Sequence, residues 1–563
     1  MADLATLVET MPATARAASV SPLPAVATLP ANIAVLPGPV LLDRNRKKPA
    51  SRAGVVMFLL ALLGALSYIG FHVASDLGSV TVTSVWPYVL LGMALLIALG
   101  FEFVNGFHDT ANAVATVIYT HSLEPNVAVV LSGICNLAGV LASTGTVAFA
   151  VITLLPVDLI LQVSSGAGFA MVFALLIAAI LWNLGTWWFG LPASSSHTMV
   201  GSIIGVGIAN QLLNPHSGDS GVDWEQAIKV LKVLLISPVI GFGLAALLIL
   251  VSKRLIKYPA LYEAPEGKKP PPFPIRVLMV LTCTGVSFFH GSNDGQKGMG
   301  LIMLILIGTV PTAYALNHAV GPMEIHEFIA ASEQVGHILD RRVAPNAATV
   351  PDARAEVTNY VRTQKLQPAT FLALRELVED LNREVTLYKV FKSVPAKDQT
   401  NVRNDMYVTS EALRLMEKNH NQGFSAEETA ALDTYKSEVD KATKFIPNWV
   451  KVAVALALGL GTMVGWKRIV VTVGERIGKE HLTYAQGASA SLVAMITIFA
   501  ADRFGLPVST THVLSSGVAG TMAANGSGLR LSTVRNIAAG WVFTLPAAAL
   551  LSGLLYCLFR AIS

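Results

Sequence analysis

The sequence predicts an all-α, polytopic membrane protein with inverted-topology repeats, roughly 10–12 membrane segments, re-entrant hairpins and a soluble helical insertion. Three observations predict it. First, the 563 residues are 53% hydrophobic and only 13% charged, with a mean hydropathy of +0.57; soluble domains carry about 25% charge. Second, two polar motifs occur twice, in the same order, in otherwise apolar sequence. Asn105-Gly106-Phe107-His108-Asp109-Thr110-Ala111-Asn112 is echoed by His290-Gly291-Ser292-Asn293-Asp294-Gly295-Gln296-Lys297. Gly190-Leu191-Pro192-Ala193-Ser194-Ser195-Ser196-His197 is echoed by Gly505-Leu506-Pro507-Val508-Ser509-Thr510-Thr511-His512. Third, a charged stretch from 318 to 448 interrupts the second copy.

In chain order, residues 1–40 are rich in Ala, Val, Pro and Thr with almost no charge, their prolines (Pro22, Pro24, Pro30, Pro37, Pro39) discourage a long helix, and a disordered tail is expected over 1–50. It lacks the basic start, apolar core and cleavage site of a secretory signal. Apolar runs able to cross a bilayer lie near 54–74, 85–104, 127–155, 168–189, 199–213 and 227–251. They resume near 275–289, 299–317, 449–465, 485–501, 513–524 and 537–559. The short runs 199–213 and 513–524 read as half-helices or re-entrant hairpins, which a bilayer tolerates only under protein or water. Glu324, Glu327, Asp340, Arg341, Arg342, Arg375, Glu376, Glu379 and Asp380 exclude 318–448 from lipid, and Phe371, Leu374, Val378, Leu381, Val385 and Tyr388 space an amphipathic helix there.

Repeat spacing gives the domain plan. Asp109 and His197 are 88 positions apart, Asp294 and His512 218, and the excess of 130 nearly equals the polar stretch. The expected domains are a first transmembrane repeat at 51–275, the start of the second at 276–317, the insertion at 318–448 and the remainder at 449–563. Lys and Arg crowd loops 252–276 and 466–482 but also precede the first span. The orientation signal is therefore divided, and a cytoplasmic insertion is favoured. Trp86, Trp187, Trp188, Trp449 and Trp466 near span ends read as interface anchors. A net charge of +4 without a basic face or tail points to no nucleic-acid partner. Cys135, Cys283 and Cys557 have neither metal nor disulfide spacing and read as small core hydrophobes.

Duplicated polar breaks in apolar segments point to a transporter's binding site. An ionised carboxylate in a span costs several kcal/mol unless paired or hydrated. Asp109 and Asp294, each amid amides and hydroxyls, are therefore candidates for a coupling cation or proton; a single Asp would read as a helix cap at the membrane surface. Pro192 and Pro507 precede hydroxyl clusters, with Ser194 and Ser509 suited to cap new helices. Ser195, Ser196, Thr510 and Thr511 add neutral donors, and free N–H groups at helix starts suit a tetrahedral oxyanion. The alternative is that these hydroxyls only join helices. His197 and His512 serve either as packed hydrogen-bonding groups or as proton carriers. Glu102 is a proton carrier or the partner of Lys297. Lys297, at the position of Asn112, either neutralises a bound anion or snorkels to the interface.

These motifs, with Thr483-Tyr484-Ala485-Gln486-Gly487 and Trp541-Val542-Phe543-Thr544-Leu545-Pro546, resemble the inorganic phosphate transporter (PiT) family. Its bacterial low-affinity, proton-coupled branch is the nearest in pattern. The resemblance covers nearly all of 54–318 and 448–560. It implies a multi-pass protein of the bacterial inner membrane that imports inorganic phosphate by alternating access, not an enzyme. In the family's sodium-coupled members both acidic motifs read Asn-Asp-x-Ala-Asn and hold sodium. Carried over, Asp109, Asn112, Asn293 and Asp294 are cation- or proton-site candidates. Ser194, Ser195, Ser196, Ser509, Thr510 and Thr511 are phosphate-site candidates. This chain departs from the sodium pattern at His108 and at Gln296-Lys297. Losing an oxygen ligand and gaining a cation disfavour sodium, so proton coupling is expected. The co-transported species are then a proton and, in a neutral metal–phosphate complex, Mg²⁺ or Ca²⁺, with no permanent metal or other cofactor. The expected partners are phosphate and the lipid bilayer, with room for a homodimer and for a regulatory partner of the insertion. The alternatives are a sulfate or other oxyanion permease of the same fold, a sodium-coupled phosphate symporter and a phosphate-sensing receptor. An intramembrane hydrolase is disfavoured because Ser196 and His197, adjacent on a helix, point about 100° apart.

Overall fold

In the computed structural model the described residues are 52–77, 86–155, 160–161, 165–214, 222–265, 270–343, 350–418 and 423–562. They belong to one unit, Pro49–Ser563; the expected N-terminal tail lies outside the described residues. The regular elements among them are helices, joined by one isolated bridge between Gly478 and Leu529. The first half contributes α1 (Arg52–Leu77), α2 (Trp86–Tyr119), α3 (Pro125–Ala142), α4 (Thr146–Ile152), α5 (Gly166–Trp188), α6 (Ser195–Leu213) and α7 (Trp224–Leu255). Next come α8 (Phe273–Thr309) and the short α9 (Pro311–Tyr314). The insertion contains α10 (Pro322–Asp340), α11 (Ala353–Thr363), α12 (Thr370–Tyr388), α13 (Ala396–Lys418) and α14 (Ala426–Thr443). The chain ends with α15 (Asn448–Thr462), α16 (Lys467–Val471), a π-helical turn over Thr472–Arg476, α17 (Tyr484–Arg503), α18 (Thr510–Asn525) and α19 (Leu531–Ile562).

Eight described helices are long and apolar enough to cross a membrane: α1, α2, α3, α5, α7, α8, α17 and α19. The sequence predicted roughly 10–12 segments, and the difference has a physical cause. The acidic motifs are not breaks. Asn105, His108, Asp109 and Asn112 follow a 3-1-3 spacing, as do His290, Asn293, Asp294 and Lys297. That spacing paints one stripe on an unbroken helix. α2 and α8 run straight through their motifs, so the spans predicted at 275–289 and 299–317 are one helix. The run 127–155 is instead two helices, parted at Gly145, whose φ of 92° ends the regular pattern. α6, α15 and α18 fall outside the eight by length or polarity.

The halves pack by exchange. α2 lies on α15 of the second half while α8 lies on α3 of the first; α6 lies on α19 while α18 lies on α7. Glycines set these crossings. A Cβ at Gly106 would stand 2.2 Å from Leu458 O, and one at its counterpart Gly291 2.1 Å from Asn136 O. Gly205 against Ala549 O (2.0 Å) is matched by Gly520 against Phe242 O (2.2 Å). Close backbone approach of this kind drives association where lipid removes the hydrophobic incentive.

The insertion closes on itself. Asn317 N and Nδ2 donate to Ala442 O and Lys441 O at 2.8 and 3.0 Å, so its entry and exit meet. Leu374, Val378, Leu381 and Val385 of α12 share a core with Phe328, Leu413 and Tyr435. Arg414 and Lys418 of α13 pair with Asp223 and Glu225 at the start of α7. Two of the expected interface tryptophans, Trp449 and Trp466, are buried (6% and 7% exposed). Trp449 Nε1 donates to Tyr314 Oη, so it is a packing residue. Of the cysteines expected in the core, only Cys283 is fully buried and Cys557 is exposed.

Arg342 donates to both oxygens of Glu428, at 3.2 and 2.7 Å, and holds its carboxyl at about 2. A lowered folded value contributes stability that is complete above the ordinary carboxylate range and lost as pH falls toward 2. Amide exchange at the α14 N-terminus is therefore expected to lose protection, relative to intrinsic rates, between pH 5 and pH 2 in the parent protein. Arg342→Ala is expected to flatten that dependence.

Candidate functional site

Two turns with glycine at positive φ (Gly190, 67°; Gly505, 63°) lead into Pro192 and Pro507 and then into α6 and α18. Ser194 and Ser509 cap those helices: their Oγ atoms accept from His197 N (3.2 Å) and His512 N (3.1 Å). The next N–H groups, of Ser195, Ser196, Thr510 and Thr511, precede any intrahelical acceptor. The two helix starts meet. Ser196 Oγ donates to Val508 O at 2.9 Å, and the rings of His197 and His512 lie 4.4 Å apart. Trp541 stacks on His512 at 4.1 Å and donates to Pro192 O.

The stripes of α2 and α8 face this junction. Asp109 Oδ2 accepts from Ser195 Oγ at 2.6 Å, and Oδ1 accepts from Thr511 Oγ1 at 2.8 Å. Thr511 Oγ1 in turn accepts from Asn112 Nδ2 at 2.9 Å. The Ser195 hydroxyl also lies 3.2 Å from Asp294 Oδ2, between the two carboxylates. Lys297 Nζ is 2.7 Å from Asp294 Oδ1 and donates to Ser196 Oγ at 2.5 Å. Asp109, Asp294, Lys297, Ser195 and Thr511 are each at most 2% exposed. Lys297 thus takes Asp294 as its ion-pair partner, not Glu102. Glu102 is fully buried one turn before the motif, its Oε2 3.5 Å from Asn105 Nδ2 and its carboxyl against Gly298. Asn293 Nδ2 donates to Leu506 O at 3.1 Å, in the turn that leads into α18. Thr510 and Ser509 lie on the same helix start, and both are buried.

Residues that sequence reasoning did not select orient this centre. Asn136 and Thr462, polar residues in largely apolar helices, fix His290. Thr462 Oγ1 donates to Leu458 O, so it accepts from Asn136 Nδ2 (3.1 Å), and Asn136 Oδ1 accepts from His290 Nδ1 (2.8 Å). That leaves His290 Nε2 facing Asp294 Oδ2 at 3.6 Å. Thr186 does the same for His108. Its hydroxyl donates to Trp182 O and Asn183 O, so it accepts from His108 Nε2 at 3.1 Å. His108 Nδ1 then meets Asp109 Oδ1 at 2.9 Å. Ligand atoms of Asp109, His290 and Asp294 all lie within 4.8 Å of one another, and this trio is the group suited to a metal ion among the described residues. An imidazole and two carboxylates accommodate divalent cations, and the Asn136–Thr462 chain is the outer-shell support such a ligand set uses.

A bundle of apolar helices enclosing a buried, charged, hydroxyl-lined centre between two helix starts defines a membrane carrier of small ions. The family model described as the phosphate transporter family matches residues 105–552, and the chain belongs to that family. The low-affinity inorganic phosphate transporter PitA of Escherichia coli (strain K12) is 43% identical over 489 residues, 84% of this chain and 96% of that protein. PitB of the same strain is 41% identical over 84% of this chain and 97% of its own length. The probable low-affinity inorganic phosphate transporter of Bacillus subtilis (strain 168) is 28% identical, with coverages of 84% and 99%. A solved structure of a sodium-dependent phosphate transporter aligns with a TM-score of 0.45 and 18% identity, over 84% of this chain and 100% of that one.

Ser195 satisfies charged carboxylates, whereas Ser194 satisfies only a backbone N–H. Ser195→Ala is expected to destabilise the protein by about 1.5–3 kcal/mol and Ser194→Ala by about 1 kcal/mol. Thermal unfolding in detergent, read as a larger drop in midpoint for Ser195→Ala, checks the order.

Proposed function

We propose that this protein imports inorganic phosphate across the bacterial inner membrane by proton symport, with a divalent cation such as Mg²⁺ or Ca²⁺ accompanying the phosphate. The reading rests on family membership, and one observation carries the choice of coupling ion: the hydrogen-bond polarity around Asp109. With the Thr186 hydroxyl proton turned to Trp182 O, His108 Nε2 is assigned as the donor in their 3.1 Å contact. The 2.9 Å contact between His108 Nδ1 and Asp109 Oδ1 therefore contains one further proton, whether drawn as imidazolium–carboxylate or imidazole–carboxylic acid. That proton is the exchangeable one. Lys297 supplies a fixed ammonium beside Asp294, where the sodium pattern has a neutral side chain and a free cation.

The electrostatics follow. Counting Asp109, Asp294, Lys297 and His108, the centre is formally neutral with the proton bound and −1 without it. A phosphate anion held by the N–H groups and hydroxyls of Ser195, Ser196, Thr510 and Thr511 binds better to the neutral form, so proton and phosphate travel together. The Ser195 and Thr511 hydroxyls, here given to Asp109, stand at the helix starts and can turn to phosphate when it enters. A cation at Asp109, His290 and Asp294 would lower the remaining phosphate charge and its desolvation cost. The exchanged packing of α2/α15 with α3/α8, and of α6/α19 with α7/α18, suits two inverted-topology halves rocking about this centre.

Radiolabelled phosphate uptake into proteoliposomes under an inward proton gradient, with and without Mg²⁺, tests the proposal. Gradient-driven, Mg²⁺-enhanced accumulation is the expected result; uptake that needs sodium would reject the proton reading, and sulfate competing as well as phosphate would reassign the substrate. Asp109→Asn is expected to abolish accumulation while the protein still folds. His108→Asn is expected to lower gradient-driven uptake at least about tenfold while sparing phosphate binding. Lys297→Gln, which leaves Asp294 buried without its cation, is expected to cost about 3–5 kcal/mol of stability as well as transport.

A further inference from the structure

One carboxylate beside the second acidic motif has no part in the mechanism above. Asp502, in the last turn of α17, accepts from Ser292 Oγ through Oδ2 and from Gln296 Nε2 through Oδ1, each at 2.7 Å. Gln296 Oε1 accepts from Val147 N at 2.9 Å, and Asn293 Nδ2 donates to Leu506 O at 3.1 Å. The bond to Val147 N–H commits the Gln296 carbonyl, so the amide cannot flip, and its NH₂ must face Asp502. Four bonds thereby tie α8, the first turn of α4 and the turn at 502–506. Helix stability does not explain the acid, since a carboxylate at a helix C-terminus faces the negative end of the dipole.

Aligning the two halves shows what Asp502 replaces. Gly190 and Gly505 open matching turns, so Asp502 holds the position of Trp187. Asp109 matches Asp294, so Ser292 holds the position of Phe107. In the first half Phe107 and Trp187 meet edge-on at 5.3 Å. Trp187 Nε1 donates to Gly465 O at 2.7 Å, and the Arg468 guanidinium lies 4.9 Å from the indole. The same two positions close both halves, with aromatic rings in one and a hydrogen-bonded carboxylate in the other. Parting the rings exposes apolar surface to water. Parting the carboxylate loses little once water can reach it, because water replaces each hydrogen bond.

We infer that Asp502 is a gating residue: with Ser292 and Gln296 it forms the polar lock that shuts the binding centre on the side of the 502–508 turn, opposite in chemistry to the aromatic lock of Phe107 and Trp187. The inference rests on the alternating-access reading. Asp502 touches neither Asp109 nor Asp294 and acts through the placement of α8, so it is a positioning residue.

The test uses full-length protein in proteoliposomes, with Cys135, Cys283 and Cys557 replaced and a reporter introduced by Leu506→Cys. A membrane-impermeant maleimide is applied from each face. Asp502→Ala is expected to raise the labelling rate on the order of tenfold from one face only. In Asp502→Asn an acceptor remains for Gln296 and the Ser292 hydroxyl can turn to accept, so the rise is expected to be smaller. On the face that labels faster, KM for phosphate is expected to fall together with kcat, a split that general destabilisation would not produce. Equal labelling in parent and variants, with unchanged KM, overturns the lock; should Asp502→Ala fail to fold, Asp502→Asn decides alone. Labelling that responds in a protein that moves no phosphate would overturn the transport reading and leave the lock standing. Unresponsive labelling in a protein that transports would overturn the lock alone.

Discussion

Two carboxylates buried at the middle of an apolar bundle dictate most of what surrounds them. In a low-dielectric interior each needs hydrogen bonds and countercharge or it will not stay ionised. Asp109 obtains Ser195, Thr511 and His108; Asp294 obtains Ser195 and Lys297. Those partners come from α2, α6, α8 and α18, so helices of both halves must converge on a space a few ångströms wide. The glycines at the crossings follow from that demand. Gly106 and Gly291 lie within the acidic motifs, where any side chain would hold α2 away from α15, and α8 from α3.

The same constraint explains why the hydroxyl clusters begin helices. Hydroxyls in mid-helix turn back to the preceding carbonyls, as those of Thr186 and Thr462 do. At a helix start no such carbonyl competes, and Ser195 and Thr511 are free to reach across to the acids. The proline before each cluster and the glycine at positive φ before that proline hold the chain out of helix until the cap residue. Sequence, turn, cap and charge compensation thus form one chain of cause.

Much of this was legible in the sequence because it is local or duplicated. The caps at Ser194 and Ser509 follow from residue type and position, the insertion follows from charge and repeat spacing, and the α12 face follows from its apolar period. The motifs were misread as breaks because hydropathy averages over a window. The four polar residues were a stripe on one helical face, and their spacing already contained that information. Partner choice was not legible. Lys297 with Asp294 is a near neighbour, but His108 with Thr186, His290 with Asn136 and Ser292 with Asp502 join residues 78 to 210 positions apart. Nothing in an Asn or Thr within an apolar run says which histidine it will orient. Trp449 and Trp466 were assigned to the interface by their place at span ends; both are buried instead, Trp449 against His72 and Tyr314.

The two halves share a scaffold and differ in charge, and the differences are concentrated at matching positions. Asn112 faces Thr511 while its counterpart Lys297 faces Asp294 and Ser196. His108 holds Asp109, while its counterpart Asn293 donates to Leu506 O. Ser292 and Asp502 stand where Phe107 and Trp187 stand in the other half. A strictly symmetric pair of halves would bind the same ions equally well from either side and would have no preferred order of steps. Here one half pairs its acid with Lys297 and the other pairs its acid with His108. On the proton-symport reading proposed above, the charge that varies lies on Asp109 and His108, and the fixed charge lies on Asp294 and Lys297. Duplicated motifs build the centre, and unequal side chains at equivalent positions give each acid different partners.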